Sequence, residues 1–282
     1  MNAAIGPTRL WWQSFVDPSQ NAPYLERLEQ YLNEIAAPGT SVTVHGTTPP
    51  DRGFGRLTEL RCSIVAVDGA LQAAEEGYDG YVMGHFQDPG LYAARSGVTI
   101  PVVGIGEASL YWAARLGRHL GLVSIHEVFE HWHREQADLY GLYGRVTHVA
   151  ALNAAVEDFA PAFAGDEAAY RRLRDCFCAA AEPVVAAGVD VVVLAGGLPG
   201  LLFAREHGMT VGRAPVVNPV AVGLKAAEMA VQLARLTGLG PSRGPSFALA
   251  PQQAVDDFRA FARRTPRKPL RDPAPESGER GI

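Results

Sequence analysis

The sequence predicts an α/β protein made of two similar parts, each a small parallel sheet flanked by helices. Three observations lead there. Apolar runs that read as strands alternate with segments of helical periodicity, joined by short connections, which is the pattern of a parallel sheet. The run from Asp190 to Leu194 is nearly pure valine, as in a strand buried on both faces. The order of features also recurs: Arg9 to Ser14 matches Leu120 to Ile125, Gly84-His85 matches Ala195-Gly196, and Ile100 to Gly104 matches Ala214 to Asn218.

Each element has its own reason. Arg9 to Phe15 reads as a buried strand broken at Val16-Asp17-Pro18, with one of Trp11 and Trp12 in the core and the other facing outward or into a cleft. Leu25, Leu28, Leu32 and Ile35 recur at helical steps, which predicts a helix from about Pro23 to Ala36. Ser41 to His45 alternates like a strand. Gly46 to Gly55 is a Pro- and Gly-rich loop that either sits over something or hangs free. Leu57 to Glu76 is helical in pattern and hands over to a strand that ends abruptly at Gly84-His85. Pro89 to Ser96 fits a helix capped by Asp88, Ile100 to Gly104 a short strand, and Glu107 to Leu116 another helix.

The second cycle opens with a strand from Leu120 to Ile125, a helix from Glu127 to Tyr140 and a strand from Val146 to Leu152. Asp166 to Ala187 is a long helix in which Pro183 predicts a kink or an early end. After the valine strand come Ala195 to Gly200, a short helix, a strand at Pro215-Val216-Val217 and a helix from about Val220 to Leu236. Ser242 to Ser246 is a linker, Pro251 to Arg264 a last helix, and the tail from Thr265 has little to bury.

A length of 282 residues, with 48% hydrophobic residues and a net charge of −5, allows two domains and provides no field that attracts nucleic acid or an anionic membrane. The expected division is 1–105 plus about 218–264 as a first domain with returning helices, 106–217 as a second, and 265–282 as a disordered tail. Cys62, Cys176 and Cys178 are too few for a disulfide framework and read as buried thiols. With no export signal and no apolar run of about 18 residues, a cytoplasmic protein is expected.

A cleft at the carboxyl ends of parallel strands can use the residues found there. His85 is the leading acid/base candidate, because an imidazole titrates near neutrality; capping a helix or bonding a carbonyl is its other reading. Glu107 either orients an imidazole or complements a helix dipole. His126 is a second cleft candidate. Near it, Glu130, His131 and His133 suggest a metal, although the i, i+4 histidine spacing is absent. Gln13, Ser14, Gly84, Phe86, Ile105, Gly196, Gly197 and Asn218 are the candidate substrate-binding residues.

The run Gly84 to Leu91, the segment Pro101 to Ala108 and the run Val191 to Gly197 resemble the aspartate/glutamate/hydantoin racemase superfamily, above all its hydantoin racemase branch. The resemblance covers roughly Arg9 to Leu236. It implies two pseudo-symmetric flavodoxin- or Rossmann-like domains with the active site in the interdomain cleft, no cofactor, a small-molecule substrate and a homo-oligomer. It also implies a pair of catalytic cysteines, and here His85 and Gly196 stand at those positions. Asn218 stands where the branch commonly has a carboxylate.

The function expected is therefore proton transfer at a carbon next to a carboxylate or cyclic amide carbonyl, by one-base chemistry with His85: a stereospecific isomerisation, a decarboxylation or an elimination. Two alternatives remain, a metal-assisted hydrolase or lyase using His85 and His126, and a non-catalytic homologue that binds a small molecule.

Overall fold

The computed structural model describes residues 6–262, so the expected tail lies outside the described residues. The first sheet and its helices run β1 (Thr8–Gln13), α1 (Pro18–Ile35), β2 (Thr40–His45), α2 (Arg56–Glu75), β3 (Gly80–Met83), α3 (Leu91–Gly97), β4 (Val102–Gly104) and α4 (Ile105–Leu116). The second set runs β5 (Leu120–Ser124), α5 (Phe129–Leu139), β6 (Val146–Ala151), a 3-10 turn at Val156–Asp158, α6 (Phe159–Phe163), α7 (Glu167–Ala186), β7 (Val191–Ala195), α8 (Gly197–Leu202), β8 (Thr210–Val211), β9 (Ala214–Val217) and α9 (Pro219–Thr237). Residues as far as Leu249 form one compact unit, and those from Ala250 form a second that contains α10 (Gln252–Ala262).

The strand orders repeat. The first sheet is β2-β1-β3-β4 and parallel throughout; the second is β6-β5-β7-β9-β8, parallel except where β8 pairs antiparallel with β9. β1 and β5 hold equivalent places, as do β3 and β7, which is the recurrence seen in the sequence. In both sheets the central strands are buried along their length, β3 through Tyr81, Val82 and Met83 and β7 through Val191 to Ala195. Burial on both faces accounts for their unbroken apolar composition.

Four local expectations are revised. Both Trp11 and Trp12 are buried, because Trp11 turns from the cleft and stacks on His45 with ring centroids 3.3 Å apart. Helix α1 starts earlier than predicted, at Pro18, and breaks at Asn21 (φ −149°, ψ 62°). The Asn21 Oδ1 then accepts from the Tyr24 amide at 3.2 Å and caps a second piece, which is the piece the periodicity reveals. Pro183 does not end α7, which continues to Ala186. Of the cysteines, only Cys62 is buried; Cys178 is half-buried and Cys176 exposed, because the two on α7 lie on different sides of the helix.

Helix α9 joins the two sheets. Asn218 caps it, Pro219 opens it, and Gly238 ends it in the left-handed conformation (φ 71°). From the second sheet it returns to pack on β3, β4 and α4. The approach to α4 needs glycine, since a Cβ at Gly223 would stand 2.5 Å from Ile105 Cγ2. A Gly223→Ala variant is expected to lose about 1–3 kcal/mol of stability in urea denaturation; an unchanged midpoint would show that this helix pair yields freely.

Candidate active site

Strand β3 leaves its sheet at Gly84, whose amide donates to Gln13 O at 2.8 Å. No side chain fits there: a Cβ would stand 2.3 Å from Trp12 Nε1 and 2.6 Å from Gln13 O. The turn that follows carries His85, Phe86, Gln87 and Asp88. His85 lines a cavity of about 940 Å³ at the carboxyl ends of the strands, together with Ser14, Gly84, Phe86, His126, Gly196 and Gly197 from the expected set. At its floor the two strand ends nearly touch, since a Cβ at Gly197 would stand 3.2 Å from Gly84 O.

Burial pushes the His85 imidazole down to about 4, against a smaller upward pull from Asp51, so the ring is neutral at neutral pH. Its Nδ1 accepts from the Gln87 amide at 3.4 Å, and its ring meets Phe15 edge-on at 5.1 Å. His126 repeats this device at the end of β5, its Nδ1 accepting from the Val128 amide at 3.1 Å. Both rings therefore have the Nδ1 lone pair engaged, and in the neutral His85 ring the proton is placed on Nε2.

Four expected site residues are placed elsewhere. Gln13 is buried and bonded to its own neighbourhood, donating to Ser14 O and Thr47 Oγ1 and accepting from Trp11 Nε1. Ile105 is fully buried against Gly223. Glu107 forms a two-pronged pair with Arg95 of α3, at 2.9 and 2.5 Å, and does not line the cavity. Asn218 spends its side chain on capping: Oδ1 accepts from the Val220 amide at 3.0 Å, and Nδ2 donates to Gly200 O at 2.7 Å.

Asp88 does not cap the helix that follows it, which begins only at Leu91 after a left-handed Gly90. Its own backbone is left-handed (φ 50°), and its carboxylate reaches the start of α4, accepting from the Gly106 amide at 3.1 Å and the Glu107 amide at 2.6 Å. Tyr140 Oη donates to the same carboxylate at 2.8 Å. Gln136 Nε2 donates to Phe86 O at 2.5 Å, Gln136 Oε1 faces His133 Nδ1 at 3.2 Å, and His133 Nε2 faces Ser124 Oγ at 3.2 Å. A buried chain of hydrogen bonds thus runs from the turn after β3 to the end of β5. Burial pushes Asp88 up to about 7 despite these donors, and burial pushes His133 down to about 4.

Sequence reasoning did not find the Gly46 to Gly55 loop as part of the site. It crosses the cavity as a strap, and Asp51, Gly53 and Phe54 line the wall. Phe54 packs on Phe129 at 4.8 Å and on His126 at 5.6 Å, while Arg56 pairs with Glu135 and lies over Trp132 at 4.7 Å. The lining also includes Asp17, Glu127 and Glu157 and, among the described residues, no lysine or arginine. No three His, Cys, Asp or Glu side chains among the described residues converge as a metal ligand set, so the His126 cluster does not assemble one. No helix among them is long and apolar enough to cross a membrane.

Residues 15–227 match the family model described as Asp/Glu/Hydantoin racemase. The chain is 26% identical over 227 residues to a hydantoin racemase of Pseudomonas sp. (strain NS671), covering 79% of this chain and 86% of that protein. It is 29% identical over 226 residues to a hydantoin racemase of Paenarthrobacter aurescens, covering 77% and 90%. Its fold is similar to that of the allantoin racemase from Klebsiella pneumoniae, with a TM-score of 0.69, 24% identity, and coverage of 86% of this chain and 94% of that one.

The buried titrating groups work against one another in acid. His85 and His133, pushed from 6.5 to about 4, contribute stability that is lost as pH falls from 6.5 towards 4. Asp88, pushed from 3.8 to about 7, contributes stability that is lost as pH rises through the same window. An Asp88→Asn variant puts an NH₂ donor among the Gly106, Glu107 and Tyr140 donors and should for that reason be less stable than the parent at neutral pH, by about 1–3 kcal/mol. Near pH 5 its unfolding free energy should also fall more steeply with acid, by about one proton. Parallel stability curves for the two proteins between pH 4 and 7 would contradict the placement of Asp88.

Proposed function

The chain belongs to the Asp/Glu/hydantoin racemase family, and we propose that it catalyses cofactor-independent proton transfer at a carbon next to a carbonyl, in a cyclic amide or a carboxylate. The observation that carries this reading is the pairing at the strand ends: His85 follows β3, Gly196 follows the equivalent strand β7, and both line one cavity. These are the two positions at which the family resemblance implies cysteines, and the three cysteines of the chain are not among the residues lining the cavity. A two-cysteine racemisation therefore has no groups to work with here, and chemistry on one face of the substrate carbon is favoured: a stereospecific isomerisation, a decarboxylation or an elimination.

In this reading His85 supports the developing enolate. A neutral imidazole that carries its proton on Nε2 is a hydrogen-bond donor suited to a carbonyl oxygen that gains negative charge. Gly196 and Gly197 bring backbone without side chains to the same wall, so a planar ring can approach closely. Phe15, Phe54 and Phe129 supply an apolar surface for a ring substituent. The names of the relatives make hydantoins and allantoin the first substrates to try.

The test is turnover of single-enantiomer 5-substituted hydantoins and allantoin in D₂O, followed by mass spectrometry for deuterium uptake and by chromatography for isomerised, decarboxylated or eliminated products. His85→Ala should lower the rate at least about 10²-fold. Because burial keeps His85 neutral down to about 4, the parent's rate should persist as pH falls through 6.5 and decline only towards 4. Unchanged turnover in the alanine variant would remove His85 from the chemistry. A binding protein without activity would retain these compounds unconverted.

A further inference from the structure

We infer that Asp51, on the strap, is the base that takes the proton from the substrate carbon, with His85 as the donor to the carbonyl oxygen. The inference rests on the proton-transfer reading and gives it the group it lacks. With the Gln87 amide on Nδ1, the polar atom His85 brings to the cavity is an Nε2–H, which has no lone pair to receive a proton. His126 is in the same condition, because the Val128 amide occupies its Nδ1. The anionic lone pairs in the cavity, those basic enough to take a proton, belong to carboxylates: Asp17, Asp51, Glu127 and Glu157.

Geometry separates these four. Asp17 is buried and caps α1, its Oδ1 accepting from the Ser19 amide at 2.7 Å and the Ser19 hydroxyl at 2.5 Å. Glu127 and Glu157 are exposed. Asp51 is held in place and partly enclosed: its Oδ1 pairs with Arg61 Nη2, its Oδ2 accepts from Cys62 Sγ at 3.6 Å, and its side chain is 24% exposed. Each oxygen has a lone pair beyond the one engaged, so an anchored carboxylate still has a face for substrate. Arg61 also donates to Pro49 O at 2.6 Å, a second hold on the strap. Asp51 and His85 line the same cavity, and the charge of Asp51 pulls the buried imidazole upward against the larger effect of burial. Cys62 serves as a donor here, since burial pushes its thiol up to about 12 and Asp51 is the next cause.

The step balances without any co-reactant. The C–H bond breaks and an O–H bond forms on the Asp51 carboxylate. The freed electron pair becomes the C=C bond of the enolate, and the carbonyl π pair moves to oxygen, which accepts the hydrogen bond from His85 Nε2–H. The proton on Asp51, which is 24% exposed, exchanges with solvent; its return to the same face of the carbon restores the carboxylate and leaves the substrate labelled, and its return to another carbon of a conjugated enolate gives the isomer.

Two measurements test the assignment. In protein labelled with ¹⁵N-histidine, with the His85 signals identified by their loss in His85→Ala, the neutral ring should carry its proton on Nε2; a proton on Nδ1 would return the base role to His85 and overturn the assignment. Deuterium exchange from D₂O into the single-enantiomer hydantoins named above should fall at least about 10²-fold in Asp51→Ala and recover several-fold on addition of sodium formate, while Asp51→Glu should retain part of the rate. A strap that is merely structural gives no formate rescue. If His85→Ala is inactive while Asp51→Ala exchanges at the parent rate, Asp51 is overturned and the proton-transfer reading stands. If the parent itself exchanges no deuterium, that reading falls and the assignment falls with it.

Discussion

The carboxylate of Asp88 at the amino end of α4 is the constraint on which the site depends. It satisfies two amides that α4 would otherwise leave without partners, those of Gly106 and Glu107. The space it occupies requires glycine around it. A Cβ at Gly104 would stand 2.4 Å from the Asp88 carboxyl carbon, and one at Gly106 would stand 1.9 Å from Phe86 O. The turn after β3 and the first turn of α4 therefore form one packed unit. His85, three positions before Asp88 in the same turn, takes its place from that unit. Through Tyr140, Gln136 and His133 the unit extends to Ser124 at the end of β5, so the two histidine-bearing turns are set relative to one another by buried hydrogen bonds.

This arrangement gives a physical meaning to two sequence segments that are otherwise only a pattern. Asp88-Pro89-Gly90-Leu91 and Gly104-Ile105-Gly106-Glu107 lie well apart in the chain, yet they are the two halves of a single capping interaction. Much of the fold was legible because burial writes itself into composition: the valine run of β7, the apolar run of β3 and the repeat of strand order need only local chemistry to be seen. His85, His126, Gly196 and Gly197 were legible for a related reason, since parallel strands deliver their last residues to one edge.

What was not legible depended on side-chain direction or on distant partners. Gln13, Ile105, Glu107 and Asn218 all stand at strand ends or helix starts, and position alone suggests a cleft. Gln13 instead fills a polar gap beside Thr47, Ile105 meets α9, Glu107 meets Arg95, and Asn218 caps α9. The strap was invisible for the opposite reason, because its Pro and Gly composition reports a turn-rich loop and nothing about what lies beneath it. Its role comes from Phe54 and Arg56 finding partners on α5, and from Arg61 on α2 gripping Pro49 and Asp51.

The resulting cavity holds the neutral imidazole of His85 against acidic side chains, with no lysine or arginine in its lining among the described residues. Negative charge that develops on a substrate there must be met by Nε2–H and backbone N–H donors rather than by a cation, and a carboxylate base is correspondingly easy to supply. The most direct measurement is mass spectrometry of a single-enantiomer cyclic amide incubated with the unmodified protein in D₂O. The account predicts one deuterium at the carbon beside the carbonyl, incorporated at a rate that depends on protein concentration. Full retention of protium across the cyclic amides and carboxylates tried would contradict it.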